Sequence, residues 1–137
     1  MTAAIYTTPA TSAMTAFTAT LNGGTIAVYT GTQPAANGAL TGTQIVTMAL
    51  AATAFAAPAA TGSGNSTIVQ ASANAITPGT ASSTNTAGYF ALLGSTGSTV
   101  ATGACGTSGS DLNLSSLAIA NGAIVSCSSF QVQIPLY

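Results

Sequence analysis

The chain has 137 residues, the size of one domain, and it contains no Lys, Arg or His and a single acidic residue, Asp111. Binding to nucleic acid and attraction to anionic lipid both depend on Lys and Arg, so the composition excludes both as partners. Catalysis by acid–base or nucleophilic routes needs His, Lys, Glu or a paired carboxylate. We therefore predict no enzyme activity, no cofactor and no small-molecule substrate.

The missing charge also bears on how the protein exists in its working state. About a quarter of the residues of an ordinary domain are charged, and their repulsion keeps it from associating. This chain is 1% charged, with a net charge of −1. We expect neighbouring subunits to cover much of its surface.

No targeting or membrane segment is predicted. The first residues carry no positive charge, which a secretory signal requires. The most apolar run, residues 48–60, is too short to cross a bilayer and is broken by Pro58.

The sequence of the N-terminal region predicts an extended arm followed by one short helix. Residues 1–9 read as the arm, in which Ile5 and Tyr6 are candidate interface residues. In residues 11–21, apolar side chains at positions 14, 17 and 21 have the spacing of one helical face. Thr11 or Ser12 could cap the start of this helix, and the Asn-Gly-Gly that follows is a stop signal.

The remainder predicts short strands separated by turns. The predicted strands are 25–30, 44–50, 67–71, 75–77, 87–93, 99–102, 112–119 and 123–135. Residues 53–56 either continue the second of these strands or form a short partner to it, and the tract 80–85 reads as an edge strand or a surface loop. Residues 87–93 form a nearly continuous apolar run, typical of a central strand buried on both faces. The terminal strand shifts parity between 127 and 130, which predicts a bulge.

About seven to nine such strands, without alternating helices, predict an all-β fold, an antiparallel β-sandwich or jelly roll. The arm (1–9) would precede a single β-sandwich domain formed by residues 10–137, with the short helix at its start.

Few residues could carry chemistry. Cys105 and Cys127 read either as two small buried apolar residues on neighbouring strands or as a disulfide, and two thiols without His cannot hold zinc. Asp111 follows the loop predicted for residues 103–110 and could cap local N–H groups. Tyr29, Tyr89 and Tyr137 are the candidate platforms on which a sugar could stack. Tyr29 and Tyr137 also join Ile5 and Tyr6 as candidate interface residues.

Several segments resemble a family of small virion proteins of tailed bacteriophages. The most specific are YTGTQP at residues 29–34 and GTSGSDLNL at 106–114, and the resemblance spans about residues 14–135. It implies a capsid cement (decoration) protein with a β-sandwich or jelly-roll fold, seated on the major capsid lattice. Relatives usually carry Arg and Asp near the strand of residues 87–93, where this chain has Ala91 and Gly94, so salt-bridged capsid contacts are in doubt here.

The resemblance implies two partners, the major capsid protein and copies of the chain itself. It also implies a location on the exterior of the virion, after assembly in the host cytoplasm. A tail or fibre subunit, and a carbohydrate- or receptor-binding module of the virion, are the alternatives.

Overall fold

The computed structural model describes residues 5–63 and 67–136, which form a β-rich fold with one N-terminal helix. The elements are α1 (Thr7–Ala19), β1 (Thr25–Tyr29), β2 (Gln44–Ala49), β3 (Ala59–Thr61), β4 (Ile68–Ser72), β5 (Gly79–Thr80), β6 (Asn85–Thr86), β7 (Tyr89–Leu93), β8 (Thr99–Gly106), β9 (Leu112–Asn113), β10 (Ala118–Ile119), β11 (Ile124–Val125) and β12 (Gln131–Pro135).

The helix begins four residues earlier than predicted, so residues 7–9 of the predicted extended arm are helical. Pro9 fits there because the first turn of a helix does not use its N–H groups. The helix buries Ala10, Met14 and Thr18, and the Thr18 hydroxyl donates to the Met14 carbonyl at 3.0 Å. It packs mainly against β4.

Strand β7 lies in the middle of a five-stranded sheet with the order β2-β1-β7-β8-β9. It pairs antiparallel with both β1 and β8, and four of its five residues are buried, as predicted for residues 87–93. The chain turns back after β7 in a hairpin to β8, where the Gly94 N–H donates to the Ser98 carbonyl. Only the short β8–β9 pair in this sheet is parallel.

The predicted terminal strand 123–135 is wrong as a single element. It breaks into β11, which pairs with β5, and β12, which pairs with β4 in a three-stranded sheet of order β12-β4-β3. Cys127 and Phe130 are both buried while Ser128 and Ser129 are exposed, so the parity shift marks where the chain crosses between sheets rather than a bulge.

Several strands begin or end at other residues than predicted, because pairing with neighbouring strands lengthens or shortens them. Strand β8 extends into the loop predicted for residues 103–110 and ends at Gly106. Within it, Gly103 lies against Phe90, and a Cβ added at Gly103 would come within 2.6 Å of the Phe90 ring. Residues 53–56 and 75–77 contribute only isolated bridges, at Phe55 and Thr77.

The short strands in the second half of the chain were predicted less well. The predicted strand 112–119 is two short strands, β9 and β10, which pair with β8 and β6 respectively. Strand β3 was not predicted, because its Ala-Ala-Thr sequence contains only one residue favoured in strands. The tract 80–85 begins in β5 and ends in β6, each two residues long.

Three phenylalanine rings pack between the five-stranded sheet and the residues just before β12. The Phe90 ring meets the Phe130 ring edge-on, with centroids 5.5 Å apart, and Phe130 also contacts Phe55 at 6.3 Å. All three are at least 94% buried within one apolar cluster that includes Met14. Aromatic pairs in this arrangement stabilise a core beyond the area they bury.

We predict that Phe130→Ala lowers the free energy of unfolding by about 3–5 kcal/mol, because it opens a cavity and removes both ring contacts. The control is Ile124→Ala, at a side chain that is 69% exposed, which should change it by no more than about 0.5 kcal/mol. Denaturant unfolding measures both variants. Equal effects would contradict the assignment of the core.

Candidate interaction surface

The two N-terminal interface candidates lie exposed beside the end of β12. Ile5 is 45% exposed and Tyr6 is 81% exposed. Tyr6 has an extended backbone and makes no side-chain cap to α1. The Ile5 N–H donates to the Leu136 carbonyl at 3.4 Å, which fixes where this segment leaves the domain. The third candidate from the ends of the chain, Tyr137, lies outside the described residues.

The other aromatic candidates, Tyr29 and Tyr89, differ in exposure. Their rings stack at 5.3 Å with an interplanar angle of 12°. Tyr89 is fully buried and offers no platform to a sugar, whereas Tyr29 is half-buried, with its hydroxyl 3.2 Å from Gln44 Oε1. Burial, followed by the neighbouring Tyr89, raises the pKa of Tyr29. The burial of Tyr89 agrees with the predicted strand buried on both faces, whereas its interpretation as an exposed aromatic residue is wrong, because a distant loop covers it.

That cover is the loop between β1 and β2. The Tyr89 hydroxyl donates to the Thr41 carbonyl and accepts from the Thr41 N–H, the latter at 3.0 Å. Gln33, in the same loop, donates its Nε2 to the carbonyl and the hydroxyl of Thr102 on β8. The loop is therefore held on the sheet face opposite Phe90.

We predict that Tyr89→Phe lowers the free energy of unfolding by about 1 kcal/mol or more, because it leaves both Thr41 backbone groups without their partner. The matched control is Tyr29→Phe, whose hydroxyl contact is exposed to water and should matter less. Hydrogen exchange at the Thr41 amide should speed up only in Tyr89→Phe. Unchanged exchange there would show that the loop is held by other contacts.

A groove of about 810 Å³ lies between α1, β8 and β12. Its lining is mostly apolar and includes Met14, Phe17, Phe90, Leu92, Ala101, Phe130, Val132 and Ile134. Asp111, the one acidic side chain, stands in its wall, and its Oδ2 accepts from the Ala104 N–H at 3.1 Å. Asp111 was predicted to cap local N–H groups, and the group that it caps is the Ala104 N–H, seven residues earlier on β8.

Both cysteines are free thiols in the structure; Cys127 is buried and Cys105 is half-buried, and only Cys105 lies in a strand. Cys105 lies in β8, and Cys127 lies between β11 and β12, where its thiol donates to the Ser129 carbonyl at 3.1 Å. Burial, and to a smaller extent Asp111, raises the pKa of Cys105 to about 12. Burial also raises the pKa of Cys127, against the lowering effect of its hydrogen bond.

We predict that both thiols resist alkylation in the folded protein and react rapidly once it is unfolded, since the thiolate is the nucleophile. Because the pKa of Cys105 is higher in the folded protein than in the unfolded chain, its neutral thiol contributes to the stability of the fold. This contribution is complete below the unfolded pKa of about 9 and is lost as pH rises towards 12. Asp111→Asn should raise the labelling rate of Cys105 modestly, because burial is the larger cause. Mass spectrometry of labelled peptides measures these rates. Fast labelling of native Cys105 near neutral pH would contradict the raised pKa of its thiol.

Neither a metal site nor a membrane-spanning helix is found among the described residues. There, no group of three His, Cys, Asp or Glu side chains is placed to hold a metal ion. Over the same residues, no helix is long and apolar enough to span a membrane. Comparisons of the chain with protein-family models, curated proteins and solved structures gave no match in any of the three.

Proposed function

We propose that this chain is a structural subunit of a tailed-bacteriophage virion, and specifically a capsid cement (decoration) protein. It would stabilise the major capsid lattice through apolar contacts and backbone hydrogen bonds. The observation that carries the proposal is the composition: a folded β domain with one acidic side chain and no basic one. Such a surface suits permanent contact with neighbours better than a free existence in solution.

The proposed architecture is a β-sandwich or jelly roll, built from the five-stranded sheet and the three-stranded sheet. The contact of Phe90 with Phe130, and of Phe130 with Phe55, supports it, because apolar faces of two sheets join in this way around one core. The two-stranded ribbons β10-β6 and β11-β5 would extend it.

Binding by such a subunit requires buried area and matching shape rather than reactive groups. Ile5 and Tyr6 supply exposed apolar side chains, and the edge of β12 supplies backbone groups that an extended partner segment can pair with. A tail or fibre subunit would need the same features and is the second candidate. The buried position of Tyr89 leaves a carbohydrate-binding module with fewer aromatic platforms.

We predict that the chain stays bound to virions when salt is raised and when pH is varied between about 4 and 9, because it has no basic side chain and a single acidic one, so that ion pairs contribute little to the contact. Sedimentation of particles after each treatment, with mass spectrometry of pellet and supernatant, measures release. Separate head and tail fractions distinguish the two candidates.

Release by moderate salt would contradict a neutral interface. Recovery of the chain in tails but not in heads would contradict the cement assignment and leave the tail candidate.

A further inference from the structure

Three Asn-Gly pairs, at residues 22–23, 37–38 and 121–122, carry the same chemistry in different surroundings. In such a pair the backbone nitrogen of glycine can attack the side-chain carbonyl carbon of asparagine, because glycine has no Cβ to hinder the approach. The attack requires the backbone of the pair to rotate. Hydrogen bonds that hold this backbone or the asparagine side chain oppose the rotation, so the fold decides how fast each pair reacts.

The pair at residues 22–23 follows α1 and is held through both of its reacting groups. The Gly23 N–H donates to the Ala51 carbonyl at 2.9 Å, and the Asn22 Oδ1 accepts from the Ala54 N–H at 2.9 Å. Both partners belong to the segment that follows β2. This turn therefore opens only when contacts between distant parts of the fold break.

The pair at residues 121–122 joins β10 to β11 and is held through its backbone. The Gly122 N–H donates to the Ala81 carbonyl at 2.8 Å, and the Asn121 N–H donates to the Thr84 hydroxyl at 2.9 Å. Both acceptors lie far earlier in the chain, next to β5 and β6. This turn is also anchored by long-range bonds.

The pair at residues 37–38 lies in the loop between β1 and β2 and is bonded within its own turn. The Gly38 N–H donates to the Ala35 carbonyl at 2.8 Å, and no hydrogen bond of the described residues involves the Asn37 side chain. Asn37 has a φ of 62°, in the left-handed region that a type II turn requires at its third residue. Opening of this turn breaks a local bond and releases a backbone conformation that few residues other than glycine adopt.

The surroundings of this turn also allow it to open. Residues 35–39 are all exposed, and the loop is fixed to the five-stranded sheet on either side of them, by Gln33 and by Thr41. Exposed segments that few hydrogen bonds hold open at low cost in free energy. The turn can therefore rearrange while both anchors stay in place.

We propose that Asn37 is a site of spontaneous deamidation, which reacts faster than Asn22 and Asn121 in the folded protein. The Gly38 nitrogen gives its proton to a solvent base and bonds to Asn37 Cγ. The bond from Cγ to the side-chain nitrogen breaks, and this nitrogen takes a proton from water and leaves as ammonia. A second water opens the resulting succinimide ring at one of its two carbonyl carbons, which gives aspartate or isoaspartate.

The modification changes the charge of the chain more than its size. The new carboxylate adds one negative charge to a chain whose net charge is −1 and whose only acid is Asp111, so the net charge doubles. Charge of one sign opposes the association of like molecules. Deamidation at Asn37 therefore works against contacts between copies at this loop. The inference concerns the free chain and does not rest on the proposed function.

All three pairs are followed in one sample, so that each serves as a control for the others. The folded protein is kept in mildly alkaline buffer, which promotes loss of the backbone proton. Chymotrypsin then cleaves after Tyr, Leu and Phe and places the pairs in the separate peptides 22–29, 30–40 and 118–130. Mass spectrometry measures the exchange of amide for carboxylate in each peptide, with an unaged sample as the baseline.

In the folded protein, the rate at Asn37 should exceed the rates at Asn22 and Asn121 by about tenfold or more, because the other turns must first break long-range bonds. In denaturant the three rates should agree within about threefold, because the same dipeptide then reacts without the fold. Equal rates in the folded protein, or a faster reaction at either of the other two pairs, would overturn the proposal.

The variant Ala36→Pro tests whether opening of the turn limits the reaction. Proline is favoured at the second position of a type II turn, and the Ala36 N–H has no hydrogen-bond acceptor among the described residues. The change should slow deamidation at Asn37 by about twofold to fivefold and leave Asn121 unaffected. Ala36→Ser is the control and should leave all rates as they are. An undiminished rate at Asn37 in Ala36→Pro would contradict the assigned cause.

Discussion

Strand β7 holds the molecule together because both its edges and both its faces are in use. Its edges pair with β1 and β8, which makes it the middle of the five-stranded sheet. On one face, Phe90 and Leu92 reach the main core and the floor of the groove. On the other, Tyr89 fixes the loop between β1 and β2 through Thr41. The core, the groove and the covered outer face all depend on this one strand being buried on both sides.

Because the chain has almost no charged side chains, hydrogen bonds between neutral groups and apolar packing hold its other elements in place. Threonine hydroxyls bond back to helix carbonyls, as Thr18 does to Met14, and amide side chains such as Gln33 hold a loop to a strand. Among the described residues, no buried side-chain N or O atom lacks a hydrogen-bond partner. Without Lys or Arg, the chain protects its strand edges with Asp111, Gln33 and proline. An edge without such protection, as on β12, becomes a natural place for contact between molecules.

Sequence patterns predicted the strands whose residues are strong β-formers. β1, β2, β4 and β7 lie where apolar alternation or a continuous apolar run placed them. The patterns failed where pairing decides the structure. Residues 123–135 alternate like one strand, but their two halves meet different partners, and Gly103 belongs to β8 because the Phe90 ring needs the space. The parity shift between residues 127 and 130 was a local signal of the first, but its meaning depended on the pairing, and no local signal marked the second.

The candidate surface was predictable in part. Ile5 and Tyr6 were predicted as interface residues because an extended arm has little to pack on in its own domain, and the structure shows both side chains exposed. The groove was not predictable, since α1, β8 and β12 lie far apart along the chain and only the fold brings them together. The loop that covers Tyr89 was not predictable either, although the burial of its strand was, because Thr41 lies far from Tyr89 along the chain.

The position and copy number of this chain in a reconstructed virion test the central claim most directly. If the chain is a cement protein, many copies should lie at regular positions on the outer surface of the capsid, each spanning neighbouring major capsid subunits. Density for the chain confined to the tail, or its absence from the particle, would contradict that account.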